Sequence, residues 1–500
     1  MAFWGRCANC LRTRLHRYQL IACFLWCLNV FAQVVANAVM ALSDIQSQSP
    51  QASILEVDSR VASRLVAVLN DCTEWGQIAL LDALALYRPE SVAEVVQLIE
   101  RVTPRLQHVN SSVVLSAVKV ILLYMEHLPD DHELVLTLSK KLAPPLVSML
   151  ATPPEVQYVA LRNLHLILQR RKSILAEGVR VFFCKFNDPL YVKLEKLDII
   201  ALLTDEKNYD QVLAELGEYA KEVEVDFVRK AILTISKCAI KIPLSAGRVV
   251  NLFEQLLASS VGFITQAVAS ATHELLRKYP VEGRSLIEPL LSNLEVFDED
   301  EARAAIVWII GEYEPLVSNA GELLNVFVGD FAVEPRIVQS ELITTAVKLY
   351  FVRPDTYRAV LEQIIQRGIR GTEFADLRER CILYGRLLQV DPSIVEAISW
   401  DRLNLQPPQA HLMDSDLLST LLPHLSTISS VYHRPSSEYG ARQAESALRI
   451  EKPPPLPDLL NLDDETPASP SPGSSSLDSS YSSSHSNVGG GRQVVDLLGD

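Results

Sequence analysis

One apolar and polar pattern returns eight times between residues 112 and 382, and no other feature limits the possible folds as much. It reads Ser112-Val113-Val114-Leu115-Ser116-Ala117-Val118, then Val156-Gln157-Tyr158-Val159-Ala160-Leu161-Arg162, then Leu190-Tyr191-Val192-Lys193-Leu194. It continues through Val225-Asp226-Phe227-Val228-Arg229-Lys230, Gly262-Phe263-Ile264, Glu301-Ala302-Arg303, Arg336-Ile337-Val338 and Asp376-Leu377-Arg378. Equivalent positions fall at 113, 158, 191, 227, 263, 301, 337 and 376, in steps of 45, 33, 36, 36, 38, 36 and 39. Within a unit the apolar residues keep a helical period. Val228, Ile232 and Ile235 stand at i, i+4 and i+7, which places Arg229 and Lys230 on the outer face. Strand-like alternation does not persist anywhere.

A repeat of this length matches units of two or three antiparallel helices, each unable to bury its apolar face without a neighbour. The predicted fold is therefore all-α, a HEAT/armadillo-type α-solenoid followed by a disordered linker. Nineteen glycines in 500 residues suit stacked helices with few tight turns. Prolines such as Pro129, Pro144-Pro145, Pro153-Pro154, Pro189, Pro243, Pro280, Pro315, Pro354 and Pro392 are expected between helices, where a missing N–H costs little.

Residues 1–33 do not share this pattern. Arg6, Arg12, Arg14 and Arg17 carry the only charges among the first nineteen residues, and the apolar run Leu20–Leu28 follows. That outline fits a secretory signal, or, extended to Leu42, an anchor interrupted by Asn29, Gln33 and Asn37. The competing expectation is that Val34–Leu42 is an ordinary amphipathic solenoid helix preceded by sequence foreign to the array. Cys7-x-x-Cys10 has no second pair at zinc-binding spacing, and from Cys72 onward the cysteines stand far apart, as in a reduced intracellular protein.

A search for chemistry finds none. The ten histidines are scattered, and there is neither a phosphate-cradling Gly-x-x-x-x-Gly-Lys-Ser/Thr nor a Gly-x-Ser-x-Gly motif. No enzyme activity, cofactor or metal is expected. A formal charge of -15, from 61 acidic and 46 basic side chains, excludes a nucleic-acid binder with the usual basic surplus. Asp298-Glu299-Asp300-Glu301 reads as negative charge at a helix N-terminus, and Arg170-Arg171-Lys172 as a solvated helix end.

Composition changes after His433. Residues 435–500 hold a triple proline, eleven serines between Ser469 and Ser486, and a triple glycine, so they read as a flexible acidic hinge. Within it lies Leu459-Leu460-Asn461-Leu462-Asp463, a compact apolar motif that folding does not require. In an extended peptide Leu460 and Leu462 share one side, with Asp463 available to a basic rim. The motif resembles a clathrin box, which would bind the clathrin heavy chain. Asp496-Leu497-Leu498 is a shorter, secondary candidate for the same partner.

The chain further resembles the large beta subunit of clathrin-associated adaptor complexes, beta-adaptin, of the type shared by trans-Golgi and plasma-membrane adaptors. The resemblance rests on Val34–Ile45, Cys72–Ile78, Glu100–Leu106, Lys140–Leu146, Asp188–Ile199, Val225–Ala231 and Glu301–Tyr313. Trp308-Ile309-Ile310-Gly311-Glu312-Tyr313 and Ser430-Val431-Tyr432-His433-Arg434-Pro435 are its most specific blocks. It implies three segments: an atypical N-terminal segment 1–33, an adaptin trunk over 34–434 that lacks its first helices, and the hinge 435–500 without an appendage domain. It also implies assembly with a second large, a medium and a small adaptor subunit, and a cytoplasmic, peripheral place on clathrin-coated vesicle membranes. These would be membranes of the trans-Golgi network and endosomes, or plasma-membrane coated pits. Competing expectations are a HEAT-repeat regulatory scaffold, or a membrane-anchored or lumenal solenoid if residues 1–42 act as a signal or anchor.

Overall fold

The computed structural model describes residues 32–48, 55, 57–400 and 413–439, apart from single positions at 130, 131, 177, 293, 318 and 437. The basic N-terminal segment lies outside these residues except for its last two positions. The hinge motifs Leu459–Asp463 and Asp496–Leu498 lie outside them entirely.

The described residues form α-helices and short 3₁₀ turns, without a strand. In chain order the helices are α1 Ala32–Gln48, α2 Ser59–Val68, α3 Glu74–Leu84, α4 Val92–Val102, α5 Ser111–Met125, α6 Glu133–Ser148 and α7 Pro154–Arg170. Next come α8 Leu190–Leu203, α9 Tyr209–Tyr219, α10 Val225–Lys241, α11 Ala246–Ala258, α12 Gly262–Lys278, α13 Ile287–Leu291 and α14 Asp300–Glu312. The last are α15 Ala320–Gly329, α16 Arg336–Val352, α17 Pro354–Gly371, α18 Ala375–Val390, α19 Pro392–Trp400, α20 Ser415–Leu421 and α21 Ile428–Tyr432. Each of the eight repeat positions falls near the start of one helix in the set α5, α7, α8, α10, α12, α14, α16 and α18.

Local chemistry explains many of the starts. Asp58 accepts the Val61 N–H at 2.7 Å to cap α2, and Asn110 accepts the Ser112 N–H at 2.9 Å to cap α5. Proline opens α7 and α17, where its absent N–H needs no partner. Asp300 and Glu301 occupy the first turn of α14, as expected for charges that complement the helix dipole.

The helices marked by the repeat form an inner row, joined at its beginning by α1 and α3. Successive members stack directly from α1 to α3 to α5, and again from α7 through α16, with α18 joined mainly through α17. Their buried faces merge into one continuous apolar core. Val228, Ile232 and Ile235 on α10 are all fully buried, and burying each such side chain stabilises by roughly 1.5–3 kcal/mol. The first described helix follows the same logic. Val35, Ala36 and Val39 of α1 are buried and the helix packs on α3, so residues 32–48 form a solenoid helix.

Two expectations fail in this region. Arg229 and Lys230 are half-exposed rather than free on an outer face: Lys230 reaches Asp198 on α8 at 2.7 Å, and Arg229 pairs with Glu299 just before α14. The helical period identified the buried stripe, but side chains flanking it are long enough to bridge to adjacent units. Pro144 and Pro145 stand inside α6 rather than between helices. The carbonyls of Lys140 and Lys141, which lose their intrahelical donors, belong to exposed residues and can turn to water.

Gly311 shows why one quoted block is so constrained. A Cβ there would sit 2.8 Å from Thr345 on α16. The two helices approach closely enough for Thr345 Oγ1 to donate to the Val307 carbonyl at 3.2 Å.

Candidate interaction surfaces

The inner row presents a groove of about 640 Å³ lined by His165, Asp198, Lys237, His273, Glu274 and Glu341, among others. These side chains come from α7, α8, α10, α12 and α16, one or two from each unit. Burial pushes His165 and His273 down to about 4 and pushes Glu274 and Glu341 upward. Burial likewise lowers Lys237. The imidazoles are therefore neutral near pH 7, and the groove is polar but only partly wetted. Trp308 packs against one of these side chains, its ring edge-on to His273 at 4.6 Å between centroids.

None of this arrangement assembles a nucleophile with an activating base. Among the described residues no group of three His, Cys, Asp or Glu side chains could hold a metal ion. The thiols of Cys184, Cys238 and Cys381 are driven up to about 12, 11 and 11 by burial, which makes them packing groups rather than reactive ones.

Polar ties between consecutive units keep the inner row in register. Lys119 on α5 meets Asp82 on α3, Arg162 on α7 meets Glu195 on α8, and Lys348 on α16 meets Glu312 on α14. Each spans roughly one repeat, so each couples neighbouring helices rather than residues of one helix.

The stack has an open joint near its start. Among the described residues, α5 and α7 do not stack closely, and α16 meets α18 only lightly, chiefly through α17 between them. Residues 413–434 lie across the α5/α7 joint, a strap arriving from the far end of the chain. Leu421, Leu422 and Leu425 enter the common core. Asn163 on α7 accepts the Ser426 N–H at 2.9 Å, and Arg162 Nε donates to the Val431 carbonyl at 2.6 Å. Lys119 Nζ donates to the Leu425 carbonyl at 3.4 Å, and Gln169 accepts the Met413 N–H at 3.0 Å. His433 stacks on His165 with 5.4 Å between ring centroids.

Sequence reasoning singled out Ser430–Pro435 as a specific block without a structural reason for it. The reason is this contact with α7, and the only signal in the sequence was the unusual block itself. Arg170 is exposed, as expected of a solvated helix end, whereas Arg171 is half-buried. Arg170 pairs with Glu126 at 3.0 Å, and Arg171 donates to the Met125 carbonyl at 3.3 Å, tying α7 to the end of α5.

Fold and surface together define an α-solenoid of stacked helices with a long polar groove along one row. Residues 30–392 match the family described as the adaptin N terminal region. The chain belongs to the adaptin family.

It is 46% identical over 406 residues to the AP-1 complex subunit beta-1 of Homo sapiens, covering 81% of this chain and 43% of that protein. It is 41% identical over 406 residues to the AP-1 complex subunit beta of Dictyostelium discoideum, with the same coverage. The chain thus spans less than half the length of these relatives. A chain in a homology model of the full-length AP-3 complex, in an intermediate open conformation, superposes with a TM-score of 0.50 at 18% identity. That match covers 71% of this chain and 67% of the other, and it supports the helical solenoid fold.

Proposed function

We propose that the protein is a non-enzymatic subunit of a heterotetrameric clathrin adaptor in vesicle-mediated intracellular protein transport. The observation that carries this reading is the 46% identity to the human AP-1 beta-1 subunit, sustained over 406 residues. The trunk assembles with a second large, a medium and a small subunit. The segment after residue 434 is a hinge, and Leu459, Leu460, Asn461, Leu462 and Asp463 recruit the clathrin heavy chain. Asp496, Leu497 and Leu498 form an auxiliary contact with the same partner. Its site of action is cytoplasmic, on the surface of coated-vesicle membranes.

A weak linear motif suffices for such work. Many adaptors beneath one lattice engage together, and avidity strengthens single contacts by roughly 10²–10⁴ where geometry allows. The decisive measurement is clathrin heavy-chain capture by the full chain and by its Leu460→Ala/Leu462→Ala variant. Loss of capture in the variant supports the hinge assignment, and equal capture removes it. Co-expression with the other three adaptor subunits tests the trunk separately, by recovery of a four-subunit complex.

A further inference from the structure

The strap occupies a joint with two properties of a peptide-binding site, and both are independent of the strap's own fold. First, α7 and α5 hold it chiefly through its main chain: Asn163, Arg162, Lys119 and Gln169 all bond strap amides or carbonyls. Second, the joint offers an apolar seat for a short run of leucines. Leu422 packs into a cleft also lined by Leu122, Leu123, Arg170 and Arg171, while Leu421 and Leu425 are fully buried. Side chains that grip a backbone, with separate pockets for a few anchors, are how proteins bind short segments of other chains.

The strap itself carries the marks of a docked ligand. Its one helix past Leu425 has only five residues, and it is bracketed by Ser426 and His433 in left-handed backbone conformations at φ 66° and 52°. Neither is glycine, and such conformations persist only where surrounding contacts enforce them. Those contacts come from residues 263 to 310 positions earlier in the chain. We infer that the α5/α7 joint is a docking site for a short segment of helical turns, filled in cis by residues 413–434, and that it accepts a segment of the same kind in trans when the strap lifts. The partner it fits presents leucines spaced as in Leu421-Leu422-Pro423-His424-Leu425 and small side chains where Ser429 and Ser430 are buried.

The test uses the full chain and a fluorescent synthetic peptide of residues 413–434, read by anisotropy. Ser116 Oγ and Ser426 Oγ lie 3.2 Å apart, so the pair Ser116→Cys and Ser426→Cys can be bridged to pin the strap closed. The peptide is expected to bind the reduced pair and be excluded from the oxidised one. Leu422→Ala/Leu425→Ala weakens the strap but leaves the site intact. Because apparent affinity scales with the open fraction, that variant should bind the unaltered peptide at least about tenfold more tightly than wild type. Its fold is checked by circular dichroism alongside. Peptide binding that ignores the bridge, or no gain in the weakened and folded variant, overturns the proposal.

Discussion

The stack from α7 to α16 and the joint between α5 and α7 solve the same problem by different means. In the stack each helix buries its stripe against the next, and contacts are made between residues one repeat apart. At the joint the missing neighbour is supplied by residues 413–434, and the gap is closed by hydrogen bonds to main chain with three leucine anchors. A repeat array can therefore be local in most of its energetics and depend at one point on a contact that spans more than half the chain.

The comparison is best broken from the stack side. Phe227 is fully buried on α10, its ring 5.3 Å from Tyr219 and beneath the Lys193 ammonium at 4.9 Å. Phe227→Ala is expected to cost about 3–5 kcal/mol, visible as a lower denaturant midpoint. A change of that size at a strap residue would mean that the joint is as integral as the stack.

Crowding should cost less than a cavity. Gly311→Ala places a methyl group against Thr345, and about 1–3 kcal/mol of destabilisation is expected by the same measurement. A neutral result would show that α14 and α16 can slide apart.

Acid probes both regions together. His165, His273 and His433 are held at about 4 in the fold, chiefly by burial, against roughly 6.5 in an unfolded chain. Below about pH 6.5 the unfolded chain binds more protons, so stability is full above that value and declines as pH falls toward 4. His433→Gln should flatten part of this decline while leaving the contribution of His273 in place. An unchanged pH profile would contradict the buried stack of His165 and His433.

Arg162→Ala should show the smallest global effect, about 1 kcal/mol, because it removes hydrogen bonds at a partly exposed residue. Its local effect should be larger: amide exchange in residues 425–433 rises while α10 and α12 stay protected. Equal acceleration in both places would erase the distinction between joint and stack.

The stack was largely legible in the sequence and the joint was not, for a physical reason. Stripes such as Val228, Ile232 and Ile235 encode burial through local period, so helices and their order follow from spacing alone. The same spacing does not say which way a repeat position points: Phe227 is buried, whereas Tyr191 and Ile337 are exposed. Nor does it assign partners to long side chains: the pairs Arg229–Glu299, Lys230–Asp198 and Arg170–Glu126 leave no mark in the spacing. The contact between Asn163 and Ser426 leaves no periodic trace, since one polar residue meeting one backbone amide needs no pattern. The groove residues His165, Lys237, His273 and Glu341 were missed likewise, because they converge only once the row from α7 to α16 is stacked.

The strap also bears on how the molecule is made. Helices α7 through α16 can close on one another as they emerge from the ribosome, each waiting only for the next. Arg162 must wait for Val431, 269 residues later. At roughly 5–20 residues per second, that leaves the joint open for tens of seconds during every round of synthesis. For that interval a nascent chain displays a half-built cleft with its leucine seat bare, a target for chaperones or for premature encounter with another copy.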